Sequence, residues 1–144
     1  MGNVLVIYHS GTGNTKKLAE CVAEGARSVA GTKVTLVAAA AVDYDAAAAA
    51  DGLAIGSPDY FSYMAGAVKT FFDTVLYDDR FKGKPCATFA THGGGAKVLG
   101  VLDNLVGAVK FAPVGPGVLV KGAPDAAGAD AGRALGKQLA EAVA

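Results

Sequence analysis

The stretch Val4-Leu5-Val6-Ile7-Tyr8-His9-Ser10-Gly11-Thr12-Gly13-Asn14-Thr15 sets the frame for the whole chain. Its first five residues form an unbroken apolar run rich in β-branched side chains, as in a strand covered on both faces. After the loop, Leu18, Val22, Ala26 and Val29 recur at helical spacing. Strand, glycine-rich loop and helix in this order open a βαβ unit. In the loop, successive backbone N–H groups can point at an anion, and the helix N terminus adds partial positive charge. Ser10, Thr12, Asn14 and Thr15 supply short side-chain donors, so a phosphate dianion can be held there without a lysine. The alternative is a hydroxyl-rich helix cap with no ligand.

The same alternation continues outward. Lys33 to Val37 reads as a second strand, and Ala46 to Ala50 as a short helix in an alanine-rich segment. Leu53-Ala54-Ile55-Gly56 is a third strand, stopped by Ser57-Pro58. Met64, Val68, Phe71 and Val75 mark a second long helix, and Pro85 to Ala90 a fourth strand. Thr91-His92-Gly93-Gly94-Gly95 is a glycine-rich turn before an apolar helix over Val98 to Val109. Gly117 to Val120 is the fifth strand, and Ala131, Leu135 and Leu139 line the last helix. Regular alternation of strands and helices implies right-handed βαβ units and a parallel sheet with helices on both faces. With no repeats and no linker, the chain reads as one domain over 1–144. Ligands of such sheets sit outside the carboxyl ends of the strands. The loops at 9–15, 57–63 and 91–95 all leave those ends.

Composition removes several function classes. The chain has 144 residues, 52% of them hydrophobic, and a formal net charge of zero. That suffices for one core and gives no electrostatic reason to expect nucleic acid. No apolar run approaches the ~20 residues of a membrane span. Met1-Gly2-Asn3-Val4-Leu5 lacks the basic region of a secretory signal, and position 6 is Val where a myristoylation motif wants Ser or Thr. The expectation is a cytoplasmic protein with no membrane association. Cys21 and Cys86 have neither metal-ligand nor redox-pair spacing and read as buried thiols, so no metal site is expected. A Walker loop is absent, and Lys16 stands where a Rossmann fingerprint needs its third Gly or Ala. A receiver domain needs a carboxylate at the end of the first strand, where Tyr8, His9 and Ser10 stand.

Taken together, these residues resemble the flavodoxin family. Ser10-Gly11-Thr12-Gly13-Asn14-Thr15 is similar to its Ser/Thr-x-Thr-Gly-x-Thr phosphate loop. Gly56-Ser57-Pro58-Asp59-Tyr60-Phe61-Ser62-Tyr63-Met64, followed by Lys69-Thr70-Phe71-Phe72-Asp73, is similar to a segment of multimeric flavodoxins and WrbA-type NAD(P)H:quinone oxidoreductases. The resemblance implies a flavodoxin-like three-layer sandwich, with a five-stranded parallel sheet of order 2-1-3-4-5. It implies noncovalent FMN, its 5′-phosphate held by residues 10–15. Pro58, Asp59, Tyr60, Phe61 and Ser62 would line the isoalloxazine. Thr91, His92, Gly93, Gly94 and Gly95 would meet its pyrimidine edge with backbone N–H groups. Either Tyr60 or Phe61 would stack on the ring, since adjacent residues cannot face one plane in the same way. Asp59 near the ring would oppose the negative charge of reduced FMN, and donors near Gly95 would favour it. Tyr63 and Met64 read as packing residues and His9 as structural.

The chain departs from WrbA-like proteins in carrying Ser62-Tyr63 where they usually have Gly-Asn, and in lacking their longer insertion near the third loop. It departs from acidic electron-carrier flavodoxins in being neutral, with no aromatic in the third loop to cover the flavin. Two functions are therefore expected: electron transfer between redox partner proteins, or NAD(P)H:quinone oxidoreduction. A flavin-free binding or regulatory module is the third. No catalytic acid, base or nucleophile stands out, in keeping with chemistry carried by a flavin. The assembly is expected to be a monomer or a small homo-oligomer.

Overall fold

The first strand, β1 (Asn3–Tyr8), shows why the sequence layers as it does. Val4 and Val6 face one core and Leu5 and Ile7 the other, following the two-residue period of a strand. The computed structural model describes residues 2–144; Met1, where the reading of the N terminus starts, lies outside the described residues. The elements that follow are α1 (Asn14–Arg27), β2 (Lys33–Ala38), α2 (Tyr44–Ala49), β3 (Gly52–Pro58), α3 (Gly66–Val75), β4 (Pro85–His92), α4 (Val98–Ala108), β5 (Ala112–Pro113), β6 (Val118–Lys121) and α5 (Ala126–Ala142). Short 3₁₀ turns at Ala39–Ala41 and Asp79–Phe81 complete the chain.

All strands pair in parallel, in the order β2-β1-β3-β4, with β5 and β6 both on the far side of β4. Helices α1 and α5 cover one face with Leu18, Val22, Leu135 and Leu139, packed on Val4, Val6, Ala54 and Phe89. Helices α3 and α4 cover the other with Val68, Phe71, Val75, Leu102 and Val106, packed on Leu5, Ile7, Leu53 and Ile55. This is the expected three-layer α/β sandwich.

The fifth strand differs from expectation. The sequence predicts one strand over Gly117 to Val120, but this position in the sheet holds two short segments. Ala112–Pro113 pairs with Pro85–Cys86, and Val118–Lys121 pairs with Phe89–His92. The chain leaves the ladder between them because Pro116 has no N–H to donate and Gly115 sits at φ 151°, which breaks the pleat. Two boundaries also move. Met64, expected in the helix, is buried ahead of α3, which starts at Gly66. Thr91 and His92, read as part of a turn, belong to β4, so the third loop starts at Gly93.

Candidate cofactor-binding site

The three loops singled out by sequence meet at the carboxyl edge of the sheet, and hydrogen bonds tie them together. His9 donates its amide to the Gly56 carbonyl at 3.2 Å, and Asp59 donates to the Thr91 carbonyl at 2.8 Å. The hydroxyls of Thr15 and Thr91, both buried, lie 2.7 Å apart and join the first loop to the third. The Ser57 hydroxyl accepts the Ala65 amide at 2.8 Å, which fixes where the second loop turns into α3.

The first loop divides its polar groups between two tasks. Ser10 Oγ accepts the amides of Gly13 at 3.0 Å and Lys16 at 3.3 Å, so this hydroxyl shapes the loop. Thr15 is committed to Thr91. Gly13, at φ 99°, supplies the left-handed turn into α1, a conformation that a Cβ disfavours. Thr12 and Asn14 are left to line a pocket of about 210 Å³, together with Pro58, Asp59, Tyr60, Thr91, His92, Gly93 and Gly122. Gly11 is held close to the Tyr60 hydroxyl, where a Cβ would collide. Tyr60 also meets His9 edge-on, with centroids 5.9 Å apart.

The second loop ends in a tight turn. Tyr60 and Tyr63 exchange both backbone hydrogen bonds, at 2.9 and 3.0 Å. Phe61 and Ser62 occupy the two corners with φ 57° and 63°, as in a type I′ turn. Gly and Asn suit those corners; other L residues there cost roughly 1–2 kcal/mol each. The Ser62 amide donates to Asp59 Oδ1 at 2.8 Å and braces the turn. Phe61 is 102% exposed, so it is Tyr60 and not Phe61 that lines the pocket. Ser62, Gly94 and Gly95 are exposed beside the pocket and do not line it.

Sequence reasoning missed Gly122, whose amide donates to the His92 carbonyl at 2.8 Å. It follows β6 at the same carboxyl edge as the other loops, and that placement was the available signal. Three larger hollows lie elsewhere: about 420 Å³ beside Thr88 and Asp103, about 350 Å³ between β6 and the start of α5, and about 450 Å³ between α2 and α3. Chemistry distinguishes the edge pocket from all three. Among the described residues, two buried side-chain polar atoms lack a partner, Asp59 Oδ2 and His92 Nδ1, and both belong to residues lining the edge pocket. Buried polar atoms are almost always satisfied, so this pair of unmet groups in one pocket fits a polar ligand there.

Residues 38–125 match the family model described as NADPH-dependent FMN reductase. The chain belongs to that flavodoxin-like, FMN-binding family. The matched span includes the second and third loops; the first loop lies before it. A flavodoxin of Aquifex aeolicus is 48% identical over 96 residues, covering 65% of this chain and 52% of that protein. An NAD(P)H dehydrogenase (quinone) of Acidithiobacillus ferrooxidans is 34% identical over 121 residues, covering 65% of this chain and 60% of that protein. The chain thus spans about half the length of the curated relatives it matches. A flavodoxin structure from the domain Archaea superimposes over 98% of both chains with a TM-score of 0.92, at 24% identity, which shows the fold.

FMN is the cofactor of this family member, and the residues present fit it. A flavin carries ring N–H groups that an unpartnered carboxylate oxygen can accept, a flat face for Tyr60, and a phosphate suited to the N terminus of α1, whose N-cap Gly13 brings no side chain to cover it.

Proposed function

We propose that the chain transfers electrons between redox partner proteins through FMN held noncovalently at the carboxyl edge of its sheet. One observation carries this reading. The two orphaned polar atoms, Asp59 Oδ2 and His92 Nδ1, lie in one pocket with a glycine- and hydroxyl-rich helix N terminus. Bound FMN supplies the ability to accept and release electrons; the protein holds it and sets its energy. Thr12 and Asn14 hold the phosphate, with Gly11 and Gly13 giving the backbone its approach and Ser10 and Thr15 fixing the loop. Pro58, Asp59 and Tyr60 flank the ring, and Phe61 and Ser62 set the height of that wall through their turn. Thr91 anchors the third loop, and His92, Gly93, Gly94 and Gly95 face the pyrimidine edge. The chain acts as a single domain, in the cytoplasm. Its two free cysteines fit a reducing compartment.

The second reading is an NAD(P)H:quinone oxidoreductase. It is supported by the relative bearing that name and by the exposed, aromatic-free Gly93 to Gly95, which leaves room for a second substrate at the ring.

Anaerobic, stepwise reduction of the FMN-loaded protein with dithionite tests the choice. Electron transfer predicts two resolved steps, with a long-wavelength absorbance that rises and then falls. A direct passage from oxidised to fully reduced flavin, with turnover of NADH or NADPH and a benzoquinone, supports the reductase. Failure to retain FMN contradicts both readings and revives a flavin-free module.

A further inference from the structure

Two features of the carboxyl edge are not explained by holding the cofactor. The first is Phe61, a large apolar side chain that is fully exposed on a turn corner where its backbone conformation is unfavourable. Within the isolated chain it gains no burial. Tyr60 and Tyr63, 39% and 40% exposed, stand at the base of the same turn. Such a cluster beside a redox site has the composition of an interface core, in which aromatic residues supply most of the binding energy.

The second is charge. The elements that meet at this edge carry Lys16 and Lys17 at the start of α1, Lys97 just before α4 and Lys121 at the end of β6, against two acids, Asp59 and Asp125, in a chain of zero net charge. All four lysines are exposed, and among the described residues none takes part in an ion pair. Both acids have an oxygen held by a backbone amide: Asp59 Oδ1 accepts from Ser62, and Asp125 Oδ1 accepts from Gly128 at 2.8 Å. Lys16 lies in the first turn of α1, Lys97 precedes α4, and Lys121 is the register partner of His92. The basic residues therefore stand at the same edge of the sheet as the pocket, with the aromatic turn on its rim.

We propose that this face docks an acidic one-electron carrier protein, with Phe61 as apolar anchor and the lysines as an electrostatic rim. The proposal rests on the electron-transfer reading and names the partner class for it. One electron passes from reduced FMN to the partner's metal centre, which is the oxidant, and no covalent bond is made or broken. Opposite charge steers the encounter and fixes orientation, and apolar contact holds the complex.

The test uses the FMN-loaded protein, so the cofactor's own charge is included. Binding to an acidic plant-type ferredoxin and to basic cytochrome c is measured by calorimetry at about 20 and about 300 mM salt. The proposal predicts that ferredoxin binds at least tenfold more tightly than cytochrome c at low salt, and loses about tenfold at high salt. Lys97→Glu combined with Lys121→Glu weakens ferredoxin binding a further tenfold or more while FMN absorbance stays stoichiometric. Phe61→Asn, which keeps a residue at ease in the left-handed corner, weakens ferredoxin binding at both salt concentrations alike. Preference for cytochrome c, no ferredoxin binding, or binding indifferent to salt and to the lysine reversals overturns the proposal. Lysine reversals that weaken NADPH binding and leave ferredoxin unaffected overturn it in favour of a dinucleotide. If FMN does not load, the electron-transfer reading fails first, and the two failures are distinguishable.

Discussion

Phe61 and Asp59 show how single residues set the properties of the site. Phe61 holds a left-handed backbone with its ring in water, so replacement by Asn removes strain at no cost in burial. Phe61→Asn is expected to raise stability by about 0.5–1 kcal/mol, read from the urea midpoint. A loss of stability would mean that the ring is packed in solution. Asp59 presents one oxygen to the Ser62 amide and leaves the other without a donor in the pocket. With FMN in the proposed site, its negative charge would oppose electron uptake by the flavin, whose fully reduced form is anionic. At several ångströms and intermediate dielectric the opposition is about 1–2 kcal/mol. Asp59→Asn should therefore make the FMN potential more positive by tens of millivolts. A potential that stays put or becomes more negative would place the carboxylate away from the ring.

At the level of elements, α1 and α5 approach closely because glycines face each other's backbone. A Cβ at Gly136 would fall on the Val22 carbonyl oxygen, and one at Gly25 on the Arg133 carbonyl oxygen. Alanine is the better helix former, yet Gly136→Ala forces the helices apart. It should lower stability by about 2 kcal/mol in a urea melt, despite a propensity gain of up to about 1 kcal/mol. A neutral or stabilising result would show that the two helices can slide without penalty. This glycine contact is invisible to periodicity, which reads a helical glycine only as a weak spot. The strands were legible because β1, β3 and β4 are buried on both faces and so read as unbroken apolar runs. The split at the fifth position was not legible: Pro113 and Pro116 were visible as punctuation, but Val118 to Val120 alone satisfies the strand pattern. The three loops of the site could be read from glycine and hydroxyl composition at strand ends. Which members turn inward could not, because that depends on contacts between distant residues. Thr15 meets Thr91 across 76 positions of sequence, and Tyr60 rather than Phe61 is pressed against Gly11.

At the scale of the whole molecule, no helix among the described residues is long and apolar enough to cross a membrane, and the charge imbalance is local and not global. Burial pushes the Cys86 thiol upward in pKa, and desolvation raises that of the half-buried Cys21 as well. Native protein should therefore leave Cys86 unreactive toward a thiol reagent at neutral pH, with Cys21 reacting slowly and both reacting at once in denaturant. Rapid modification of Cys86 in native buffer would contradict this packing. The folded state keeps the Cys86 proton that the unfolded chain releases, so its contribution to stability is present below the unfolded thiol value of 9.0 and declines as pH rises above it. FMN at the carboxyl edge of the sheet can be detected by following backbone amide shifts during titration of the apoprotein with FMN. Saturation at one equivalent is expected, with large shifts confined to residues 10–15, 58–62, 91–95 and 122. Shifts centred on Thr88, Asp103 and the break in the fifth strand, or no saturable shifts, would contradict it.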